Sequence, residues 1–337
     1  MNRQFLYDML TVPAVSGHEK RLQNVIADHM KDYAHQMVTD EIDDLVCVLN
    51  PDHPVKILLA AHADEIGLVV TDIAEDGFLT VAKSGGIYCD TYPGQKVRVC
   101  SGKGVVYGSV LHHGSLWEKK ERTPSDLLID IGAASAKEAS QWVSPGDVVV
   151  FDTDYRELLG NRLTARALDD RIGIFCIMEA LKQAAGKGCR AGIYCASTVG
   201  EETSKNGAYW VSRQVEPARA IVVDVTGTSD YRKTERGEFG NIRLGGGPVL
   251  LHHPLSHRKM TADLAGMAAE GGIPVQFEVG AGRTCTDADQ IHFSNHGVPT
   301  AVVSIPLRYM HTPGEVCDMG DVENCINLLA EMLCRIE

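Results

Sequence analysis

Two adjacent aspartates, Asp169 and Asp170, stand where a short loop meets a strongly apolar segment, and this junction constrains the fold more than any other stretch. Ile172, Phe175 and Glu179 follow at helical spacing, so a helix is predicted to begin at the acids. Carboxylates at such a junction are well placed to reach a metal ion. Taken alone, the pair fits equally well an N-cap aspartate with a second acid that complements the helix dipole.

Helical and β patterns alternate from Arg166 onward, which is typical of a mostly parallel or mixed sheet covered by helices. Helices are predicted at residues 170–185, 206–215, 257–270, 286–295 and 321–335, and strands at residues 190–199, 220–225, 275–279 and 300–305. The earlier run from Lys56 to Ala61 is almost continuously apolar, which indicates a strand buried on both faces. Ser16-Gly17-His18-Glu19 resembles a capping box and predicts a first helix after it.

The segment between Val69 and Phe151 differs in its sequence pattern from the rest of the chain. Short β-rich runs there are separated by turn signals such as Asp76-Gly77 and Ser144-Pro145-Gly146-Asp147, and only residues 135–142 look helical. Regular short strands predict a small β-barrel or sandwich. We therefore predict an α/β fold in which a mixed-sheet α/β/α domain, residues 1–70 and 157–337, is interrupted by a barrel-like insert at residues 71–156. The insert is expected to serve oligomerisation or to gate the site.

The overall charge and the cysteines narrow the class of protein. A net charge of -13 argues against nucleic acid and against an anionic membrane surface as partners. Met1 to Asp8 lacks the apolar core of a signal peptide, and no run approaches the roughly 20 apolar residues of a membrane span. The ten cysteines show no closely spaced metal or redox pair. We expect a cytoplasmic protein whose cysteines are reduced core residues.

Histidines and acids occur at the ends of several predicted strands. They are His62 with Asp64, Asp169 with Asp170, Glu201 with Glu202, Asp224, and His311. The carboxyl ends of strands in an open α/β sheet share one edge, so these positions can converge in space. Imidazole and carboxylate ligands suit zinc, cobalt or manganese, and one carboxylate can bridge two ions about 3.5–4 Å apart. Asp64 lies two residues after His62 and can hold the other imidazole nitrogen.

Each of these features has a plainer interpretation when taken alone. A single histidine at a strand end is more often a satisfied polar residue, and adjacent glutamates usually mark a solvated helix start. Asp224 is the hardest to explain without a partner, because it ends an apolar run. Their joint occurrence at strand exits favours a dinuclear metal hydrolase. The remaining histidines, expected on the surface or in the pocket wall, are His112, His113, His252, His253 and His257. Arg283 and Arg308 fit contact with an acidic substrate side chain and equally fit solvated or salt-bridged positions.

An ordered series of short motifs runs along almost the whole chain. They are Val15-Ser16-Gly17-His18-Glu19, His62-Ala63-Asp64-Glu65-Ile66-Gly67, Ala167-Leu168-Asp169-Asp170-Arg171, Val199-Gly200-Glu201-Glu202, Asp224-Val225-Thr226, Leu244-Gly245-Gly246-Gly247-Pro248, Thr286-Asp287-Ala288 and His311-Thr312-Pro313-Gly314-Glu315. In this order they resemble the glutamyl/tetrahedral aminopeptidases, cytoplasmic dinuclear zinc or cobalt metallopeptidases that are sometimes labelled endoglucanases.

The resemblance implies a metal-binding role for five of the candidates. Asp169 would bridge two divalent ions, zinc or cobalt. His62 and Asp224 would complete one metal site, and Glu202 and His311 would complete the other. The family fold is an α/β peptidase domain interrupted by a small β domain, which agrees with the change of sequence pattern between Val69 and Phe151.

The resemblance also implies the reaction. Glu201 would be the general base that activates a bridging water, with Asp64 as a supporting catalytic residue, whereas Asp170 would be structural. The substrates would be peptides with a free N-terminus. Members of the family commonly build large hollow assemblies, so a homo-oligomer such as a dodecamer is expected.

Three other functions are compatible with parts of the pattern. A metal-dependent amidohydrolase or deacylase of a small metabolite would use the same ions, but it would cleave N-acylated rather than unblocked dipeptides. A glycosidase needs two carboxyls about 5–9.5 Å apart across a sugar, and the neighbours Glu201 and Glu202 cannot supply them. A non-catalytic binding or assembly protein would not require the intact set of ligands and base.

Overall fold

A computed structural model describes residues 1–116, 118–232 and 240–335 of the chain. The helices are α1 (Arg3–Thr11), α2 (Lys20–Met30), α3 (Ala136–Ala139), α4 (Leu168–Lys187), α5 (Asn206–Val215), α6 (Arg258–Glu270), α7 (Ala288–Ile291) and α8 (Met319–Arg335). None of the helices in these ranges has both the length and the apolar character needed to cross a membrane.

The strands are numbered in chain order. They are β1 (Gln36–Thr39), β2 (Leu45–Leu49), β3 (Lys56–His62), β4 (Gly67–Ile73), β5 (Leu79–Ser84), β6 (Lys96–Ser101), β7 (Gly104–Val110), β8 (Ile129–Asp130), β9 (Val148–Phe151), β10 (Arg156–Leu158), β11 (Arg162–Ala165), β12 (Gly192–Thr198), β13 (Arg219–Gly227), β14 (Val249–His252), β15 (Gln276–Val279), β16 (Thr300–Leu307) and β17 (Glu315–Asp318).

An eight-stranded mixed sheet forms the centre of the molecule, in the order β1-β2-β12-β3-β13-β16-β14-β15. Strands β12, β3, β13 and β16 run parallel, so their carboxyl ends meet at one edge. Strand β3 is buried almost throughout, as its continuous apolar run predicts. A smaller sheet of β10, β11 and β17 lies beside it.

Helices cover both faces of this sheet. On one face lies α4, with α1, α6 and α8 packed beside it. Its apolar side chains, such as Ile172 and Phe175, are fully buried, because a helix that is apolar on every side must be enclosed. On the other face, Val211 of α5 and Ile291 of α7 pack in one core cluster with Val222 of β13. The regular helical part of α4 begins after Asp170, since both aspartates have non-helical backbone angles.

Strands β4, β5, β8, β7, β6 and β9 close into a barrel in that order. Its interior is filled by branched side chains, among them Leu68, Val97 and Val149. The interior residues alternate with more exposed ones along β6, whereas β9 is buried throughout. The predicted fold class is therefore confirmed, with a mixed α/β sheet domain and a small closed barrel. The predicted helices at 135–142 and 286–295 are shorter in the structure, where α3 and α7 have four residues each.

One expectation about the cysteines is wrong. Cys189 and Cys334 form a disulfide between the carboxyl-terminal ends of α4 and α8, with their Cα atoms 4.9 Å apart. The two residues are 145 positions apart in sequence, so only the packing of α8 along α4 brings them together. Of the remaining cysteines, most are buried and all are free, as predicted.

A buried ion network links the first helix to the segment before Asp169. Both oxygens of Glu65 are used: one accepts hydrogen bonds from the Arg171 guanidinium at 2.7 Å and from the Ala14 amide at 2.9 Å, and the other pairs with Arg166. The same guanidiniums donate to backbone carbonyls at the end of α1. Burial alone would raise the pKa of Glu65, but the two arginines hold it below its usual value.

Replacing Glu65 with Gln should destabilise the protein by about 3–5 kcal/mol, because two buried guanidiniums would lose the carboxylate that pairs with both of them. The free energy of unfolding in denaturant measures this loss. The exposed ion pair of Lys259 with Asp263 provides a control, and Asp263→Asn should change stability by less than about 0.5 kcal/mol. Equal stability of the two variants would mean that the network does not hold these segments together.

Candidate metal centre

The candidate ligands converge at the carboxyl edge of the central sheet, as predicted. His62 ends β3 and Asp224 lies within β13, while Asp169 precedes the regular part of α4. Glu202 follows β12 and His311 lies in the loop between β16 and β17. The side chains of the first three are almost completely buried, and His311 is the most accessible at 22%.

Asp169 lies between the two histidines. One carboxylate oxygen is 3.1 Å from His62 Nε2, and the other is 3.2 Å from His311 Nε2. His311 Nε2 is also 3.4 Å from Glu202. On the opposite side, potential ligand atoms of His62, Asp170 and Asp224 lie within 4.8 Å of one another. A carboxylate whose oxygens face two different imidazoles has the arrangement that a metal bridge requires.

The charges of these groups also fit a cation. Burial raises the pKa of Asp224 to about 8, and the nearby Asp169 adds to the shift. Burial alone would lower the pKa of His311, but hydrogen bonds to Asp169 and Glu202 raise it to about 11. Hydrogen bonds to Asp169 and Asp64 likewise raise the pKa of His62 against the effect of its burial. The acids thus retain protons on the imidazoles, and divalent ions would displace those protons on binding.

Asp64 connects His62 with the loop that carries the two glutamates. Its backbone carbonyl is 3.1 Å from His62 Nδ1, and a carboxylate oxygen is 3.3 Å from the same nitrogen. The two carboxylate oxygens also accept hydrogen bonds from the amides of Glu201 at 3.0 Å and Glu202 at 3.1 Å. The Ser16 hydroxyl donates to it at 2.6 Å. One fully buried carboxylate therefore orients a histidine and both glutamates.

Two further buried acids hold the start of this loop, and neither is among the site residues predicted from the sequence. Glu19 accepts a hydrogen bond from the Gly200 amide at 3.1 Å, and Asp44 accepts one from the Val199 amide at 2.8 Å. The predicted capping box is wrong, because Glu19 makes no cap and its carboxylate instead turns inward to Gly200. Burial raises the pKa of Glu19 to about 7, with a contribution from Asp64.

Glu201 faces the cavity beside the cluster. Lys205 Nζ lies 3.3 Å from its carboxylate and 3.0 Å from that of Asp289. Burial, with the neighbouring Asp224, raises the pKa of Glu201 to about 9, although His62 acts in the opposite direction. A partly desolvated carboxylate that faces an open cavity is suited to proton transfer.

The barrel reaches the cluster through Gly85 and Gly86, which follow β5. His311 Nδ1 donates to the Gly86 carbonyl at 3.0 Å, which fixes the imidazole so that Nε2 points at Asp169. A Cβ on Gly86 would lie 2.9 Å from the imidazole ring, and one on Gly85 would lie 3.2 Å from Glu202. Close backbone approach to both side chains explains the glycine pair.

Asp170 makes backbone contacts on two elements, and it is also one of the acids near His62 and Asp224. Its carboxylate accepts hydrogen bonds from the amide of His62 at 3.3 Å and from that of Gly173 at 3.2 Å. Burial raises its pKa, and Asp224 contributes to the shift. It therefore joins the end of β3 to the start of α4 behind the cluster.

The cluster opens into a cavity of about 950 Å³. His253 lines it, and its Nε2 lies 3.0 Å from the Gly282 carbonyl. Exposed Arg283 also lines it, whereas Arg308 is paired with Asp230 at 2.7 Å. The other histidines predicted to lie outside the cluster, His112, His113, His252 and His257, are exposed.

A family model described as M42 glutamyl aminopeptidase matches residues 44–328. The chain is 33% identical to a putative aminopeptidase of Acetivibrio thermocellus over 99% of this chain and 100% of that protein. It is 32% identical to the lysyl aminopeptidase of Pyrococcus furiosus over 98% and 96% of the two chains. A solved structure of the Pyrococcus horikoshii TET1 peptidase, which can assemble into a tetrahedron or a large octahedral shell, superposes with a TM-score of 0.88 at 30% identity, covering 99% of each chain.

Replacing Gly86 with Ala should weaken metal binding by about 10–100-fold, because the new Cβ would displace the His311 ring from its carbonyl partner. Competition with a chelator measures the affinity. A Cβ at Gly102, in the turn between β6 and β7, would meet no atom within 4 Å, so Gly102→Ala is the matched control. Identical affinities in the two variants would exclude a role of the barrel in orienting His311.

The buried carboxyl group of Asp44 makes the free energy of unfolding depend on pH. Burial, with nearby Asp40, raises its pKa from 3.8 to about 9, so the folded state retains a proton that the unfolded chain releases. Stability from this group is therefore present at low pH and lost as the pH rises towards 9, by up to about 1.4 kcal/mol per pH unit. Asn keeps the carbonyl acceptor for Val199, so Asp44→Asn should gain stability over wild type between pH 5 and pH 9.

Thermal unfolding of metal-free protein across this pH range measures the difference between wild type and Asp44→Asn. The same substitution at exposed Asp32 should leave the difference from wild type constant. A constant difference for Asp44→Asn would mean that Asp44 is ionised in the fold.

Proposed function

Because the chain belongs to the M42 family of glutamyl aminopeptidases, we propose that its histidine–carboxylate cluster holds two divalent ions that serve peptide hydrolysis. The chain is a hydrolase of the aminopeptidase type, and its family implies divalent metals. The observation that carries the two-ion proposal is the placement of Asp169, whose two oxygens face His62 and His311 separately.

The remaining ligands divide between the two imidazoles. Asp224 groups with His62, and Glu202 groups with His311, so each ion would have one imidazole, one carboxylate and a share of Asp169. Nitrogen and oxygen donors of this kind suit zinc or cobalt. The excess of buried acids around two imidazoles supports this assignment, because ions would compensate charge that the side chains leave unbalanced.

Divalent ions, when bound, lower the pKa of water and polarise a carbonyl group. We assign Glu201 as the general base. Its carboxyl faces the cavity, and the positive charge of divalent ions beside it would lower its raised pKa, so that the carboxylate could take a proton from the attacking water and return it to the leaving amine. Lys205, which contacts Glu201, limits the positions that this carboxylate can adopt. Asp64 acts indirectly, because its carboxylate contacts the His62 imidazole and accepts a hydrogen bond from the Glu201 amide.

The free N-terminus of a peptide carries a positive charge when it enters the cavity at neutral pH. Several acids line this cavity, whereas Lys205 is already paired with Glu201 and Asp289. An acidic lining favours an unblocked amino terminus over an acylated one, which supports an aminopeptidase rather than a deacylase.

We also propose a homo-oligomer such as a dodecamer, supported by the assembly of the similar TET1 peptidase. The division into a peptidase domain, residues 1–70 and 157–337, and an insert at 71–156 belongs to the same proposal. The contact of Gly86 with His311 supports a role of the insert at the site, where it forms part of the wall.

Replacing Glu201 with Gln should lower kcat by about 10²–10⁴-fold and leave about two ions per chain, because the base is not a ligand. Glu202→Gln removes a ligand instead, so it should lower the metal content as well. Protein purified without added metal and then reloaded with zinc or cobalt gives the ion count. Cleavage of aminoacyl-p-nitroanilides gives the rate.

Wild type should lose activity to a chelator and recover it with metal. A Glu201→Gln variant with full metal content and wild-type turnover would disprove the assignment of the base. Cleavage of N-acetylated dipeptides in preference to unblocked ones would instead identify a deacylase. Fewer than about one ion per chain after reloading would contradict the dinuclear centre.

A further inference from the structure

Glu278 is a carboxylate in the cavity wall that the proposed reaction does not use. It lies on the edge strand β15 and is half-buried. Its Oε2 accepts a hydrogen bond from the Thr226 hydroxyl at 2.8 Å. Within residues 1–116, 118–232 and 240–335, the hydrogen-bond partner of the Glu278 carboxylate is the Thr226 hydroxyl, and no basic side chain forms an ion pair with this carboxylate.

The position of Thr226 places this carboxylate close to the metal centre. Thr226 follows Asp224 by two residues on β13, so both side chains leave the same face of the strand, about 6.6 Å apart along it. Glu278 lies beyond Thr226, still within the same cavity. Thr226 thus lies between the candidate ligand Asp224 and the carboxylate of Glu278.

Part of the cavity wall near these groups is apolar. Leu251 is the cross-strand partner of Glu278 in the pairing of β14 with β15, so the two side chains leave the same face. Val302 lines the same cavity, and both apolar residues are buried. An apolar wall that ends in a carboxylate matches an aliphatic stem that ends in a cation.

The other charges of the cavity do not supply that cation. Lys205 is paired with Asp289 and Glu201. Arg283 also lines the cavity but forms no ion pair with Glu278 among the residues that the structure describes. Burial raises the pKa of Glu278, which shows that its charged form is poorly compensated in the empty cavity. A cationic substrate group beside it would remove this cost.

We propose that Glu278 is a specificity-determining residue that selects a basic side chain, lysine or arginine, at the amino terminus of the substrate. Thr226 is the positioning residue that aims the carboxylate. The inference rests on the proposed aminopeptidase function, because it names the substrate class of that same site.

The test compares kcat/KM of metal-loaded enzyme for the p-nitroanilides of Lys, Arg, Leu and Glu. Wild type should prefer Lys and Arg over Leu. Glu278→Gln should lower the Lys-to-Leu ratio at least tenfold, which corresponds to about 1.4 kcal/mol. Glu278→Lys should reverse the preference and raise the Glu-to-Lys ratio. The control is Glu323→Gln, the same change at an exposed position on α8, and it should keep the wild-type ratio.

A second measurement reads the contact without turnover. In the Glu201→Gln background, calorimetric titration with Lys-Ala-Ala and Leu-Ala-Ala should show tighter binding of the lysyl peptide, and adding Glu278→Gln should abolish the difference. An enzyme that cleaves the Leu substrate with a Lys-to-Leu ratio unchanged by Glu278→Gln would overturn the inference and leave the aminopeptidase function intact. A fully loaded enzyme that cleaves no unblocked substrate would overturn both.

Discussion

Two neighbouring carboxylates that follow β3, those of Asp64 and Glu65, hold the candidate metal centre in place, and their side chains point in opposite directions. Asp64 points towards the cluster, where it contacts His62 and the amides of the glutamate loop. Glu65 points away, into a buried pair of arginines that leads to the end of α1 and to the segment before Asp169. Buried charge is tolerated only when it is paired, so each contact depends on the packing around it. The result is a centre whose groups come from distant parts of the chain but share one rigid support.

The cluster itself carries more acid than its histidines can neutralise. The raised pKa values of Asp224 and His311 are two signs of the same imbalance. Asp224 retains a proton because its charged form would be buried near other acids, and His311 retains one because Asp169 and Glu202 stabilise its cationic form. The network at Glu65 pairs one carboxylate with two guanidiniums, whereas this cluster has more carboxylates than imidazoles. That difference separates a site built to receive a cation from a site built for stability.

Much of the fold and the cluster could be predicted from the sequence because their signals are local. Alternating patterns indicated the sheet and the barrel, and strand exits indicated His62, Asp224 and the others. Contacts that depend on tertiary packing have no such signal. Glu19 looked like part of a helix cap, yet it turns to Gly200, which lies 181 positions away. The pairing of Cys189 with Cys334 likewise needs the two helices to be packed. The ligand roles, the domain boundaries and the cytoplasmic location stay predictions.

The glycine pair after β5 restricts how this chain can vary in evolution. An inserted domain usually tolerates change, because its boundaries lie in surface loops and few contacts cross them. Here the backbone of Gly86 lies against the His311 ring, and Gly85 lies against Glu202. The turn therefore belongs functionally to the larger domain although it belongs topologically to the barrel. Most of the barrel can diverge or exchange loops. A replacement of the barrel that displaces this turn, however, would cost the enzyme the orientation of His311, a residue that lies outside the barrel.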